Sequence, residues 1–126
     1  MREVIHTNAA PQAIGPYSQG IAAAGKLIFV SGQIPLDPAT GVFAGEDITT
    51  QTRQSLTNLK AVLAEAGAEL KDVVKTTVFL QNMGDFAAMN EVYASFFTVN
   101  CPARSAVEVA ALPKGALVEI EAIAVI

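Results

Sequence analysis

The sequence predicts an α+β domain, in which a mixed β-sheet carries two helices on one face. Strand-like and helix-like patterns follow one another in the order β-β-β, α, β, α, β-β, with no internal repeat and no linker. Apolar residues make up 52% of the 126 residues, which is enough to build a core without disulfides or a structural metal. We therefore expect one domain over residues 1–126. Its second sheet face, which the helices leave free, is apolar and needs cover.

The first third of the chain is predicted to hold three strands and a long ordered loop. Residues 3–6 form a possible short strand. The following segment, 8–20, contains two prolines and two glycines, which are too many for a regular element. Residues 19–31 have the pattern of two strands around a turn at residues 25–26.

Two amphipathic helices are predicted, one on each side of a β-branched strand over residues 73–80. The first helix covers 47–66, with Asp47 as its N-cap and Gly67 as the left-handed residue after its end. The second covers 85–97, and its first residue, an aspartate, is the predicted cap. The apolar positions of this second helix are assigned to the core: Phe86, Met89, Tyr93 and Phe96.

Two further strands are predicted to complete the sheet, over residues 103–109 and 117–125. The tetrapeptide LPKG lies between them and favours a turn. The chain ends on Val125 and Ile126 without a polar tail. An apolar terminus of this kind is expected to be docked, either in the sheet or against a neighbouring chain.

The composition excludes several classes of function. The net charge is −4 and the isoelectric point is about 4.8, which disfavours binding to nucleic acid or to an anionic membrane. No signal peptide and no run of 18 apolar residues is present, and a single cysteine fits a reducing compartment, so a cytoplasmic protein is expected. Charged residues make up only 16%, which suggests that copies of the chain cover part of its surface.

The sequence offers no support for a metal or a nucleotide cofactor. His6 is the only histidine and Cys101 the only cysteine, and the two share no ligand motif. The glycine-rich segment GPYSQG lacks the Lys-Ser/Thr pair of a phosphate loop. We expect neither a metal site nor a cofactor.

A few polar residues stand in otherwise apolar strands or in the punctuated loop. They are Tyr17, Ser31, Arg104, Glu119 and Glu121. Strand alternation places Arg104 on one face with Ala106 and Glu108, and it places Glu119 and Glu121 together on one face of the last strand. Either Arg104 forms a structural ion pair with one of these two glutamates, or it binds the carboxylate of a ligand. Residue types alone leave both alternatives open.

Four segments carry a resemblance to a known family: IGPYSQ at 14–19, VSGQIPLDPATG at 30–41, MNEVYASFF at 89–97 and PARSAVEVAALPKGALVEIEAIAV at 102–125. From about residue 3 to its end, the sequence resembles the RidA family, also known as the YjgF family. The resemblance implies a fold similar to that of the small chorismate mutases. It also implies homotrimers with a barrel-like core and clefts between subunits.

The activity that the resemblance implies is the hydrolysis of reactive 2-imino and enamine acids. Pyridoxal-phosphate dehydratases release these compounds from serine and threonine, and hydrolysis gives a 2-keto acid and ammonia without a cofactor. Carried over to this sequence, Arg104 would bind the substrate carboxylate and Glu119 would hold and polarise the attacking water. Tyr17 would form a wall of the pocket and hydrogen-bond within it.

The resemblance also suggests further contacts and two departures from the family pattern. Ser31 and Gly32 would supply polar and backbone contacts to the substrate, and Asn90 is a weaker candidate. Some of the site residues would come from a neighbouring subunit. Many relatives have a cysteine where this chain has Ala106, so an activity here would not use a thiol at that position. The link at 98–101, TVNC, also looks shorter than in relatives.

Two other functions are compatible with the same pattern. One is a trimer that binds small carboxylates, or acts as a chaperone, without catalysis. The other is a ribonuclease or translation inhibitor, against which the acidic isoelectric point and the missing basic patch argue.

Overall fold

The computed structural model describes residues 1–126, and its fold is α+β as the sequence predicts. The strands are β1 (Arg2–Ile5), β2 (Gly20–Ala23), β3 (Leu27–Gln33), β4 (Val73–Leu80), β5 (Ala103–Glu108) and β6 (Val118–Val125). The helices are α1 (Ile48–Glu65) and α2 (Phe86–Phe96), with short 3₁₀ turns before β4, α2 and β6. No helix has the length and apolar character needed to cross a bilayer.

The main sheet is mixed and has four strands in the order β3-β6-β4-β5. Strands β4 and β5 are parallel because α2 carries the chain back between them, whereas the other neighbours pair antiparallel. The expected hairpin between β2 and β3 is not formed. Instead, β2 pairs with β1 in a separate two-stranded sheet, and β3 pairs with β6.

The segment between β2 and β3 explains this difference. Gly25 has a φ of 147°, and any side chain there would collide with the carbonyl oxygen of Ile126. Next to it, Lys26 exchanges two backbone hydrogen bonds with Ile126, at 2.7 and 3.0 Å. The turn therefore closes on the end of the chain, and the terminal residue is docked as expected, through its backbone, while its side chain stays 44% exposed.

The core lies between the sheet and the two helices. Every second residue of β6 faces the helices and is buried, namely Val118, Ile120, Ala122 and Ala124. Helix α1 covers them with Leu56, Leu59 and Leu63, none of which is solvent-exposed. Each of these leucines contributes roughly 2 kcal/mol of stability through burial.

The predicted ends of α1 are confirmed, whereas the predicted cap of α2 is wrong. Asp47 accepts a hydrogen bond from the Thr50 amide at 2.9 Å, and Gly67 adopts a φ of 80°. Asp85 does occupy the first flanking position of α2, but its side chain caps nothing. A 3₁₀ turn over Met83–Asp85 leads directly into the helix, and Asn82 caps that turn by accepting from the Gly84 amide.

The opposite face of the main sheet is apolar and uncovered within the chain. Phe29 is 70% exposed, Leu27 57% and Val107 43%. Glu119 and Glu121 project from β6 on this same side. A surface with this many exposed large apolar groups is typical of an interaction face.

Candidate active site

Arg104 lies on the face of the sheet that carries the helices. It is paired in register with Thr76 of the parallel strand β4, whose side chain is completely buried beneath α2. From this position the guanidinium reaches α2, where its Nη1 donates to Asn90 Oδ1 at 2.7 Å. Strand β5 and helix α2 therefore fix the two ends of this side chain.

Three aromatic rings surround the guanidinium of Arg104. Its Cζ atom lies 4.7 Å from the ring centroid of Tyr93, 5.5 Å from that of Tyr17 and 5.6 Å from that of Phe86. Rings at such distances attract a cation through their negative faces. Burial lowers the pKa of Arg104 below its ordinary value, while Tyr93 and Tyr17 act in the opposite direction, and the group stays charged at neutral pH.

Arg104 has no carboxylate partner within the chain. The only ion pair joins Lys71 and Glu69, which are exposed and lie 3.2 Å apart. The structural alternative, in which Arg104 pairs with Glu119 or Glu121, is therefore not formed in the chain. A half-buried guanidinium with one side-chain acceptor has further N–H groups available for an anion.

The loop before β2 brings Tyr17 to this cluster. Ser18 fastens the loop to the residues that precede β5, since its amide donates to the Pro102 carbonyl at 3.1 Å and its hydroxyl to that of Cys101. Gly15 of this loop also lies close to the cluster, since a Cβ atom at that position would be 3.6 Å from both the Asn90 side chain and the Tyr17 ring. The motif IGPYSQ thus places an aromatic ring beside Arg104.

Glu119, Gly32 and Ser31 form a second group. The side chain of Glu119 lies directly against the backbone of Gly32, and any Cβ atom at that position would overlap its carboxylate. Ser31 and Gly32 sit where the pairing of β3 with β6 shifts register, and Ser31 is exposed. The groove beside Gly32 has a volume of about 340 Å³. This groove is lined by Gln33, Ile34 and Asn58 in addition to Gly32, but by neither Ser31 nor Glu119.

The two groups lie on opposite faces of the sheet. Arg104 shares a row with Thr76 and Ala122, both of which are buried under the helices. Glu119 is paired with Phe79, which lies between the buried Val78 and Leu80 of β4 and therefore faces the other way. One chain therefore brings together Arg104, Asn90 and Tyr17, and separately Glu119, Gly32 and Ser31, but it does not join these groups.

Two residues beside Arg104 were assigned to the core by sequence reasoning alone. Phe86 and Tyr93 do pack in the interior, but their rings also contact the guanidinium. Their spacing could have indicated this contact, because Phe86, Asn90 and Tyr93 occupy the i, i+4 and i+7 positions of one helix face.

The remaining candidates make ordinary structural contacts. His6 shares a 2.8 Å hydrogen bond with Gln12 on the surface. Burial raises the pKa of the Cys101 thiol, which donates to the Phe97 carbonyl. Ala106 packs against the core on the strand face of Arg104. No three His, Cys, Asp or Glu side chains converge as metal ligands would.

Comparison with known proteins gives matches over nearly the whole chain. The family model described as Endoribonuclease L-PSP matches residues 7–126. A RutC family protein of Pyrococcus horikoshii is 59% identical over 124 residues, which cover 98% of each chain. The 2-iminobutanoate/2-iminopropanoate deaminase of Salmonella typhimurium is 53% identical over 128 residues, covering 99% of this chain and 98% of the relative.

Solved structures agree with these sequence matches. The crystal structure of the YjgF gene product from E. coli superposes with a TM-score of 0.77 at 52% identity, and the match covers 98% of each chain. At this identity and coverage, the two chains share their fold from end to end.

Proposed function

The chain belongs to the RidA family, whose members include YjgF and whose family model is described as Endoribonuclease L-PSP, and on this premise we propose that it hydrolyses 2-imino acids to 2-keto acids and ammonia. The observation that carries the proposal is Arg104, a half-buried cation with no carboxylate partner in the chain. A relative that is 53% identical is named for this activity, which supports the same assignment.

In the proposed mechanism, Arg104 binds the carboxylate of the imino acid. A guanidinium can hold a carboxylate through two parallel hydrogen bonds, and the aromatic rings around it exclude water and strengthen the attraction. Asn90 occupies one N–H of Nη1 and leaves the others for the ligand. A substrate without a carboxylate would leave the guanidinium desolvated and unpaired, so Arg104 also determines specificity.

Glu119 is proposed to hold and activate the attacking water. The water adds to the carbon of the protonated C=N bond and passes a proton to the Glu119 carboxylate. Glu119 returns that proton to the nitrogen of the resulting carbinolamine. As the C–N bond breaks and ammonia leaves, the hydroxyl group gives its proton to the Glu119 carboxylate and becomes the ketone oxygen. Glu119 then passes this proton to ammonia, which departs as ammonium. Gly32 and Ser31 would contribute backbone and hydroxyl contacts, and Tyr17 would form a wall. No cofactor takes part in these steps.

The proposed site takes Arg104 from one copy of the chain and Glu119 from a second copy. Arg104 and Glu119 lie on opposite faces of one sheet, so a substrate held by one is out of reach of the other in the same chain. The exposed apolar groups Leu27, Phe29 and Val107 lie on the face that carries Glu119 and offer a surface for association. We propose the homotrimer typical of the family, with the site in a cleft between subunits, working in the cytoplasm.

The family description names an endoribonuclease, and RNA cleavage is the alternative that we place below imine hydrolysis. The net charge of −4 opposes the binding of a polyanion, whereas one guanidinium in an aromatic pocket suits a small carboxylate. A purified protein that cut RNA, and lost this ability in Glu119→Ala, would reverse this order.

The proposal is tested by coupling the protein to a threonine dehydratase. Release of 2-oxobutanoate is followed while semicarbazide competes for the free imine. We expect faster release with the wild type and no acceleration with Arg104→Ala. Arg53→Ala is the matched control, because Arg53 is an exposed arginine on α1, and it should behave as the wild type.

Acceleration that survives Arg104→Ala would refute the carboxylate role of Arg104. If the wild type binds 2-oxobutanoate but does not accelerate its formation from the imine, the protein is instead a non-catalytic binding protein.

A further inference from the structure

Tyr93 connects the buried core to the cation of the candidate site. Its ring centroid is the nearest of the three to the Arg104 guanidinium, at 4.7 Å, and the residue is completely buried. Its hydroxyl shares a 2.7 Å hydrogen bond with Thr76 Oγ1, which is also completely buried. The ring is therefore held at its hydroxyl end by the strand next to β5.

Two neighbours, the Tyr93 ring and the Asn90 side chain, hold the Arg104 guanidinium in place. Thr76 and Arg104 are paired in register on neighbouring parallel strands, so the anchor of the ring and the cation start from adjacent positions. A free arginine side chain has many rotamers and loses conformational entropy when it is fixed. A rigid ring and the Asn90 amide impose this order before a ligand arrives.

We propose that Tyr93 is a positioning residue for carboxylate recognition: its ring is the platform that holds the Arg104 guanidinium ready for the ligand. The hydroxyl group, by contrast, contributes to stability through Thr76, while burial in the core keeps the ring in place without it. This inference rests on the proposed carboxylate site, but it does not require that the bound acid be hydrolysed.

Three variants separate the ring, the hydroxyl and general packing. Tyr93→Phe keeps the ring and removes the hydroxyl, while Tyr93→Leu removes the ring. Phe97→Leu is the matched control, because Phe97 is a buried aromatic residue against Tyr93 that makes none of the ring contacts to Arg104. The measurements are the Kd for 2-oxobutanoate by calorimetry, KM and kcat in the imine assay, and the NMR signal of the Arg104 Nε–H group, which nearby rings shift.

We expect Tyr93→Leu to raise Kd and KM by about tenfold, as the loss of a partly desolvated cation–π contact implies, with kcat changed less than about twofold. The ring-shifted Nε–H signal should move in Tyr93→Leu and persist in Tyr93→Phe and Phe97→Leu. Both of these variants should keep the wild-type Kd within about twofold, although each is less stable.

An unchanged Kd in Tyr93→Leu, or an equal rise in Phe97→Leu, would overturn the inference and leave Tyr93 as an ordinary core residue. A wild type that binds no 2-oxobutanoate would overturn it as well. If the wild type binds 2-oxobutanoate but does not hydrolyse imines, and Tyr93→Leu still weakens binding, only the proposed catalytic function fails.

Discussion

Glu119 and Arg104 each have a single proposed task, and substitution can separate the two tasks. Glu119→Gln keeps the size and polarity of the side chain but removes the base. We expect carboxylate affinity close to that of the wild type and a fall in kcat of about a hundredfold or more, as the loss of a general base implies. Calorimetry with 2-oxobutanoate and the coupled imine assay measure the two effects. An equal loss of affinity and rate would mark Glu119 as a structural residue instead.

Because Tyr93 is buried, we expect the protein to lose stability at alkaline pH. Burial raises the pKa of Tyr93 from 10.0 to about 12, although the hydrogen bond with Thr76 and the charge of Arg104 oppose the shift. The folded protein therefore favours the neutral phenol. This contribution to stability is complete below pH 10 and is lost as the pH rises towards about 12.

Urea unfolding below pH 10 and near pH 12 tests this prediction. The free energy of unfolding should fall more over this interval for the wild type than for Tyr93→Phe, because the variant lacks the titrating phenol. The lysines and the other tyrosine are the same in both proteins. Parallel decreases in the two proteins would show that Tyr93 does not carry the effect.

At the residue scale, the sequence predicts only part of the candidate site. The residue types and the family motifs pointed to Arg104, Asn90 and Tyr17, and the structure brings these three together. Phe86 and Tyr93 were missed because an aromatic residue on a helix face has the same pattern whether it packs against leucine or against a cation. Their double role depends on the register of β5 against β4, which no local pattern encodes.

At the scale of elements, the loop that carries Tyr17 depends on Ser18. The Ser18 hydroxyl satisfies the Cys101 carbonyl in a part-buried position, and its amide bonds to Pro102. Ser18→Ala leaves that carbonyl without its partner, so we expect the free energy of unfolding to fall by about 1–3 kcal/mol. The affinity for 2-oxobutanoate should fall too, because the loop no longer holds Tyr17 against Arg104.

The control for Ser18 is Ser95→Ala. Ser95 also donates to a carbonyl, that of Val92, but it lies on the exposed side of α2 away from the loop. Its substitution should leave the affinity for 2-oxobutanoate unchanged and alter stability only slightly. If urea unfolding gives the same midpoint for Ser18→Ala as for the wild type, the loop is held by its backbone contacts alone.

Most helices and strands could be predicted because their signals are local. The apolar period of α1, the β-branched run of β4 and the alternation of β6 each indicate one type of structure. The pairing of β2 with β1 could not be predicted in this way, because it is decided by the distant contact of Lys26 with Ile126. The failed cap at Asp85 has a local cause, a 3₁₀ turn that sequence patterns do not distinguish from the first turn of a helix.

For the molecule as a whole, the proposed division of the site between two sheet faces predicts complementation between inactive variants. Arg104→Ala and Glu119→Gln should each be inactive alone, but a mixed assembly contains some clefts with both intact residues. Random mixing of equal amounts would restore roughly a quarter of wild-type activity, because each cleft takes one residue from each of two subunits.

Co-expression of the two variants, followed by the imine assay on the mixed assembly, measures the restored fraction. The control is co-expression of each variant with a second copy of itself, which should remain inactive. If the mixture is no more active than these controls, Arg104 and Glu119 act within the same subunit or not at all, and the proposed cleft between subunits is wrong.

The separation of Arg104 from Glu119 also has a consequence for the life of the protein in the cell. On the proposed function, a single folded chain would bind a carboxylate with one face and hold a water with the other, without bringing the two together. Catalysis would then start with association of the chains rather than with folding. Specific activity should rise with the abundance of the chain until assembly is complete, so that a cell with few copies has less protection per molecule than a cell with many.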